Sequence, residues 1–145
     1  MIFHNVIRGL LLVSVLTSCT VPQNTPAYSP TFNAETTRFR VESKGHDYIA
    51  ELIPGTSPIP VNDYFYFDIK LAERLKPLSH DARLSIDAGM LAHNHGMVTT
   101  PEVIQTSHDT FRAKGMLFHM AGPWHVVLTI AHGILQDKVE FDVVI

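Results

Sequence analysis

Apolar and polar residues alternate along most of the chain beyond residue 36. The run at residues 61–71 gives the clearest example, because Phe65, Phe67 and Ile69 alternate with more polar neighbours. Side chains on every second residue lie on one face of a strand, so each such run predicts a half-buried β-strand. The predicted strands are residues 38–42, 48–53, 61–71, 83–88, 102–106, 111–118, 124–131 and 139–145.

Turn and breaker residues separate these runs. Gly45 lies between the first two runs, which predicts a hairpin, and Pro54 begins a proline-rich break. Pro77 interrupts residues 72–80, and we expect this segment to be a crossing loop between two sheets. Short strands at about ten-residue spacing, with no helix of useful length, are typical of a sandwich. The sequence therefore predicts an all-β fold, an Ig-like antiparallel β-sandwich of seven to eight strands over residues 37–145.

Residues 1–18 have the pattern of an export signal. Their apolar core is well short of the ~20 apolar residues that a transmembrane helix needs. The sequence Leu16-Thr17-Ser18-Cys19 resembles the bacterial lipobox, which implies cleavage before Cys19 and attachment of lipid to that cysteine. The alternative is an ordinary signal peptide followed by a chance cysteine. Residues 19–36, rich in Pro, Thr, Ser and Asn, are predicted to form a flexible tether.

Charge and motif content narrow the class of function. The chain has a formal net charge of −3 and a pI near 6.3, so nucleic acid is not an expected partner. It contains no GxSxG, no HExxH and no glycine-rich phosphate loop, and we expect no enzymatic activity. Cys19 is the single cysteine, which excludes an internal disulfide. The core must therefore rest on apolar burial, with Trp124 as a central member.

The stretch from Met90 to His125 concentrates the candidate chemistry. It contains four of the five methionines and five of the nine histidines in the chain. Imidazole and thioether side chains suit copper, with thioether favouring Cu(I) and imidazole also accepting Cu(II). The expected cofactor is copper in one of these states, and the alternative is no cofactor. The predicted metal ligands are His93, His95, Met97, Met90, Met120 and His119.

Residue spacing suggests how these ligands meet. In an extended segment, residues i and i+2 point the same way, so His93 and His95 face one ligand and Met97 continues the row. Loops at one end of a sandwich converge, so the second loop brings His119 and Met120 towards the first.

Structural roles are the alternative for each of these residues. Methionine fills irregular gaps in cores, and loop imidazoles can bond to neighbouring carbonyl groups. A catalytic zinc site is also open if a third ligand joins His93 and His95. For His125, the roles of metal ligand and of surface residue are equally open. His46, His80 and His108 are isolated along the chain and are predicted to be surface residues, and His132 is predicted to belong to a turn.

Two segments resemble the YtkA-like domain family. They are residues 88–97, AGMLAHNHGM, and residues 111–124, FRAKGMLFHMAGPW. They are similar to the family's Met-Pro-x-His-x-His-Gly-like loop and Phe-x-Met-Pro-Gly-x-Trp-like turn, with Leu91 and Ala121 in place of the usual prolines. The match spans about residues 39–145. The resemblance implies an exported bacterial Ig-type sandwich, in a family where some members are lipoproteins or belong to metal-efflux systems.

These observations give two hypotheses of function. In the first, the protein is held in the bacterial cell envelope by its N-terminal lipid, faces the periplasm, and sequesters copper or passes it on. Its partners are then the membrane and an envelope protein or metal-transport component. In the second, it is an Ig-like interaction or structural module without metal. Thr20 follows Cys19, and because the sorting rule links aspartate there to the inner membrane, the outer membrane is favoured.

Overall fold

The structure, a computed structural model, describes residues 29–145. The predicted signal peptide, the lipidation site at Cys19 and the first part of the predicted tether lie outside these residues. The strands are β1 Thr31–Asn33, β2 Phe39–Glu42, β3 Tyr48–Pro54, β4 Tyr64–Glu73, β5 Arg83–Met90, β6 His95–Gly96, β7 Glu102–Gln105, β8 Thr110–Leu117, β9 Pro123–His132 and β10 Leu135–Val144. One 3-10 turn, Leu91–His93, lies between β5 and β6.

Two five-stranded sheets face each other across the core. One sheet has the order β1-β10-β9-β5-β6 and the other β2-β3-β4-β8-β7. If β3, β4, β5, β7, β8, β9 and β10 are taken as strands A to G, the sheets contain A-B-E-D and G-F-C, which is the immunoglobulin arrangement. Neighbouring strands are antiparallel except that β1 runs parallel to β10. The predicted Ig-like sandwich is therefore confirmed.

The eight predicted strands are all present, and the structure adds two short ones. β1 has three residues and β6 has two. The predicted hairpin is formed by β2 and β3, with Ser43 donating its backbone N–H to Tyr48 O at 2.9 Å. The connection from β4 to β5 crosses from one sheet to the other, as expected for the segment containing Pro77.

The sandwich begins earlier than the predicted boundary at residue 37. Thr31–Asn33, which the sequence assigned to the tether, pairs with β10 in register Thr31 with Asp142. The ring of Phe32 packs edge-on against Phe39 at 4.9 Å between centroids, and against Phe141 at 5.8 Å. The surrounding residues are polar and gave no sign of a strand, but Phe32 packs β1 against the core.

Trp124 is fully buried at the centre of the core, as predicted. Its ring stacks on Phe118 with centroids 4.8 Å apart. Burying one large apolar side chain contributes about 1.5–3 kcal/mol, so a continuous core of this kind needs no disulfide. The largest fully buried side chains are Trp124, Phe39, Phe67, Phe118, Phe141, Leu52, Ile69, Leu71, Met90, Met116, Leu128 and Ile130.

The two ends of the sandwich differ in the loops that they carry. At one end, β5 finishes at Met90, β8 finishes at Leu117 and β9 begins at Pro123. We call this the histidine–methionine end. At the opposite end, β4 finishes at Glu73 and β9 at His132. Within residues 29–145, no helix is long and apolar enough to cross a lipid bilayer.

Candidate metal centre

Three imidazoles gather at the histidine–methionine end. His93 and His95 come from the connection between β5 and β6, and His119 comes from the connection between β8 and β9. The ring of His95 lies between the other two, with centroid separations of 5.8 Å to His93 and 5.1 Å to His119. The predicted convergence of these two loops therefore brings three histidines together.

The backbone around His93 is not extended, so the expectation of an i, i+2 row is wrong. Leu91–His93 forms a 3-10 turn, and Asn94 is left-handed, with φ of 54° and ψ of 41°. Asparagine is one of the few residues that adopts this conformation readily. The turn leaves His93 exposed, while His95 enters β6 and is half-buried. The two rings are neighbours because of this turn rather than because of strand periodicity.

His119 has an unusual environment for a histidine near the surface. Its Nδ1 is buried and has no hydrogen-bond partner among residues 29–145. The ring stands edge-on to Trp124, with centroids 5.3 Å apart. Leaving a buried polar atom unpaired costs about 1–3 kcal/mol. A ligand bound at this nitrogen would remove that cost.

Trp124 and Met120 fix the turn that carries His119. The indole Nε1–H of Trp124 donates to the carbonyl oxygen of Met120 at 2.9 Å. Because Trp124 is locked in the core, this bond ties the turn after β8 to a rigid element. The sequence identified Trp124 as a core residue, and the structure shows that it also positions this loop.

The separations between ring centroids can be compared with those of imidazoles that share one ion. A ligating imidazole nitrogen lies about 2.0–2.1 Å from the metal, which places its ring centroid about 3.2 Å from the ion. Two such rings are then about 4.5 Å apart at a right angle, about 5.2 Å at the tetrahedral angle and about 6.4 Å when opposite. The 5.1 Å between His95 and His119 is close to the tetrahedral value, and the 5.8 Å between His93 and His95 is wider.

His95 is open to a groove on the outer face of the sheet. Gly89, Asn94 and His125 line this groove together with His95. The Nδ1 of His95 lies 3.4 Å from Gly96 O, a long contact that is its one hydrogen bond within residues 29–145. The Nε2 of His95 is left as the nitrogen available to a ligand.

The predicted methionine ligands occupy different depths. Met90 is 1% exposed, and Met97 is partly buried against the core. Met120 is 40% exposed, next in the chain to His119. Met116, which was not among the predicted ligands, is fully buried. Met120 is thus the most exposed of the three methionines predicted as ligands.

No group of three His, Cys, Asp or Glu side chains in residues 29–145 is arranged to hold a metal ion. The candidate centre consists of His95 and His119 as an imidazole pair, with His93 beside them and a thioether at Met120. Such a set is short of the four ligands of a structural zinc site, and it resembles the mixed nitrogen and sulfur donors that soft ions accept.

Charged side chains are absent from the chain segments that form this end. Residues 88–101 and 115–124 contain no Asp, Glu, Lys or Arg. Several of their apolar side chains are exposed, among them Leu91 at 76% and Val98 at 74%. Hard divalent ions prefer carboxylate oxygen, so this composition favours a soft ion or an apolar partner over Ca²⁺ or Mg²⁺.

Of the remaining histidines in residues 29–145, three are engaged with carboxylates. His125 contacts Asp142 at 2.7 Å, His132 contacts Asp81 at 3.1 Å, and His46 contacts Glu42 at 3.4 Å. His125 therefore has a partner outside the candidate centre. His132 is the last residue of β9, directly before the turn, in agreement with its predicted place.

His80 and His108 are exposed surface residues, as predicted, but they are not isolated in space. Their ring centroids are 4.3 Å apart at the opposite end of the sandwich. The two residues lie on different loops, and no local sequence pattern signals that these loops meet. Only a correct strand order would have shown that these two loops lie at the same end of the sandwich.

Fold and site together define the class of this protein as an immunoglobulin-like β-sandwich with one end whose loops are rich in histidine and methionine. No family model, curated protein or solved structure matches the chain in the three comparisons.

Proposed function

We propose that this chain is an exported, lipid-anchored, non-enzymatic protein that binds a copper-type ion at its histidine–methionine end. The anchor is the lipid predicted on Cys19, with placement in the outer membrane from Thr20 and a site that faces the periplasm. The ion is sequestered or passed to an envelope protein or a metal-transport component. The resemblance to the YtkA-like domain family supports the same cell compartment.

One observation carries the proposal. His95 and His119 come from separate loops, and their rings are at nearly the separation of two ligands on a tetrahedral ion. His119 Nδ1 is also buried without a hydrogen-bond partner within residues 29–145, and a bound ligand is one way to satisfy such an atom.

Copper in its monovalent form fits the surroundings best. Residues 88–101 and 115–124 have no carboxylate, and Met120, next in the chain to His119, has an exposed thioether. Imidazole and thioether together select Cu(I), while the imidazoles alone also accept Cu(II). His93 is exposed next to His95, so a further ligand is available when the ion enters or leaves. An accessible, incomplete set of ligands suits transfer better than permanent storage.

The test is a titration of the full chain, purified in mild detergent, with Cu(I) and separately with Cu(II). The double variant His95→Gln/His119→Gln removes the imidazole pair, and His46→Gln is the matched control at an exposed histidine of the opposite end. We expect the wild type and the control to bind Cu(I) and to gain thermal stability, because a ligand specific to the native state stabilises it. The double variant should lose both effects.

Two results would contradict the proposal. One is Cu(I) binding by wild type no tighter than about micromolar, a free energy near −8 kcal/mol. The other is binding of equal strength in the double variant. Metal content of the protein isolated from its own envelope fraction then reports whether copper is carried in the cell.

A second candidate function has an observation of its own. Leu91, Val98 and Met120 are exposed apolar side chains on the histidine–methionine end, and exposed apolar patches often mark a protein contact. In this alternative the sandwich is an interaction or structural module of the envelope without metal. Leu91→Ser/Val98→Ser then weakens capture of the partner, whereas His95→Gln/His119→Gln leaves it unchanged.

A further inference from the structure

His80 and His108 form a histidine pair at the end of the sandwich opposite to the candidate copper centre. His80 belongs to the loop that crosses from β4 to β5, and His108 belongs to the loop that joins β7 to β8. Their ring centroids are 4.3 Å apart, with the ring planes inclined by 46°. Two loops of different origin therefore place a pair of imidazoles side by side.

The loop that carries His108 is held by backbone hydrogen bonds. Thr106 N–H donates to Thr110 O at 2.8 Å, and Leu71 N–H of β4 donates to Asp109 O at 2.8 Å. The side-chain amide of Gln105 donates to the carbonyl oxygen of His108 itself at 3.1 Å. These bonds fix the backbone on both sides of His108, so its ring position does not depend on a free loop.

The loop that carries His80 is anchored in a different way. Leu78 is 6% exposed and belongs to the core. Ala82, also buried, donates its backbone N–H to Ser79 O at 3.2 Å across a turn. His80 lies between these two anchored residues. The backbones on both sides of the pair are thus set before any ligand arrives, which lowers the entropic cost of binding.

Neither ring is used by the protein itself. Within residues 29–145, His80 and His108 make no side-chain hydrogen bond and no ion pair, and both are exposed to solvent. His46 and His132, the other histidines described at this end, each contact a carboxylate. The free nitrogens of His80 and His108 are therefore available to an external ligand.

Two carboxylates lie next to the pair in sequence. Asp81 accepts a hydrogen bond from Ser79 and contacts His132, and its side chain is 64% exposed. Asp109 accepts from the Thr110 hydroxyl at 3.1 Å, and its side chain is 41% exposed. Asp109 also forms an ion pair with Lys70 at 3.8 Å, so its charge is partly compensated. The charge of Asp81 favours a cation nearby.

We propose that His80 and His108 form a second metal site, which binds a divalent ion of the Cu(II) or Ni(II) class. The separation of 4.3 Å is close to the value of about 4.5 Å for two imidazoles at a right angle on one ion. Right-angle nitrogen ligands belong to the tetragonal geometry of Cu(II) and Ni(II). Water completes the coordination, with Asp81 or Asp109 as an anionic neighbour.

This site differs from the candidate copper centre in place and in chemistry. No methionine lies near it in sequence, since the nearest are Met90 and Met116. It is a site of nitrogen and oxygen donors, whereas the other end offers nitrogen and sulfur donors. The bound ion joins the crossing loop to the β7–β8 loop, and it should stabilise the fold whether or not copper binds at the other end.

Ni²⁺ is the probe, because it prefers imidazole and has no redox chemistry under these conditions. The full chain is titrated with NiCl₂ by calorimetry and its thermal unfolding is followed with and without Ni²⁺. The single variants His80→Gln and His108→Gln are compared with His46→Gln and with His95→Gln/His119→Gln. We expect Ni²⁺ to raise the Tm of the wild type, of His46→Gln and of the double variant.

Each single variant should lose this rise and bind Ni²⁺ at least about tenfold more weakly, since even outer-shell partners of a metal are worth that much. Both residues are exposed, so the unliganded Tm should stay unchanged and should show that each variant folds. Ni²⁺ binding that survives in His80→Gln and His108→Gln would overturn the proposal. So would its loss in His95→Gln/His119→Gln with the single variants unaffected. If the copper titration shows no binding, the Ni²⁺ titration still tests this proposal, because the two sites are at opposite ends of the sandwich.

Discussion

Gly122 lies directly against Met90 and has a backbone conformation that suits glycine alone. A Cβ on Gly122 would stand 2.8 Å from the terminal methyl carbon of Met90, and the φ of Gly122 is +128°. Gly122 also exchanges two backbone hydrogen bonds with Ile145, at 2.9 and 3.0 Å. The turn that follows His119 therefore rests on the end of β5, the strand that leads to His93. The two loops of the candidate centre are coupled through this contact.

Substitution Gly122→Ala should destabilise the protein by about 1–3 kcal/mol, the cost of holding a side chain in a sparsely populated backbone region. The buried Met90 must also shift to make room. Gly133→Ala is the matched control, because Gly133 has φ of +58° but nothing within 4 Å of its Cβ position. Urea unfolding should show a greater loss for Gly122→Ala. Equal losses would mean that neither the more restricted φ of Gly122 nor its contact with Met90 contributes.

Phe32→Ala should lower the free energy of unfolding by about 2–3 kcal/mol, somewhat less than the value for a fully buried phenylalanine. The reason is that Phe32 packs against Phe39 and Phe141 and joins β1 to the core. Tyr64→Ala is the control, since Tyr64 is 65% exposed. Chemical denaturation of both variants measures the difference. A loss below about 0.5 kcal/mol for Phe32→Ala is the size of a surface effect and would return the start of the domain to residue 37.

The sequence predicted the long strands because a period of two needs several residues to be recognised. β4 and β9 each have ten residues and show it plainly. β1 and β6 have three and two residues, too few for any period. Their existence depends on tertiary partners: β1 on the free edge of β10, and β6 on the turn at Asn94 that folds the chain back onto β5.

The same distinction applies to the candidate sites: local sequence identified some of their residues, and tertiary contacts determined the rest. His93 and His95 were identified from the residues alone, although their backbone is a turn and not the extended segment that the spacing suggested. The place of His119 beside His95 depends on how two loops converge, and the burial of its Nδ1, unpartnered within residues 29–145, depends on packing near Trp124. No property of one segment reveals either fact. The His80 pair was missed for the same reason.

Ionisation of Tyr48 should lower the free energy of unfolding as the pH rises above about 10. Burial of Tyr48, followed by the nearby charge of Glu73, raises the pKa of its hydroxyl above the ordinary 10.0. The unfolded chain then releases this proton first, near pH 10, while the folded chain keeps it. The contribution is complete below pH 10 and is lost as the pH rises from there through the raised pKa.

Tyr48→Phe removes the titrating group, so its unfolding free energy should fall less steeply above pH 10 than that of the wild type. Urea unfolding at about pH 8, where the phenol is neutral in both states, gives the reference. Identical slopes for wild type and Tyr48→Phe would show that Tyr48 ionises equally in the folded and unfolded chains.

His119→Leu tests whether His119 contributes to metal binding rather than to the stability of the apoprotein. The Nδ1 of His119 is buried without a partner within residues 29–145, so leucine should leave the apoprotein equally stable or raise its free energy of unfolding by up to about 1 kcal/mol. The same variant should lose the rise in Tm produced by Cu(I), because one imidazole of the pair is gone. His93→Leu is the control: His93 is exposed, so its apoprotein should change by less than about 0.5 kcal/mol. Thermal and urea unfolding with and without Cu(I) measure both effects. A marked loss of apoprotein stability in His119→Leu would assign the histidine to the support of Trp124, and an undiminished Cu(I) effect would remove it from the metal site.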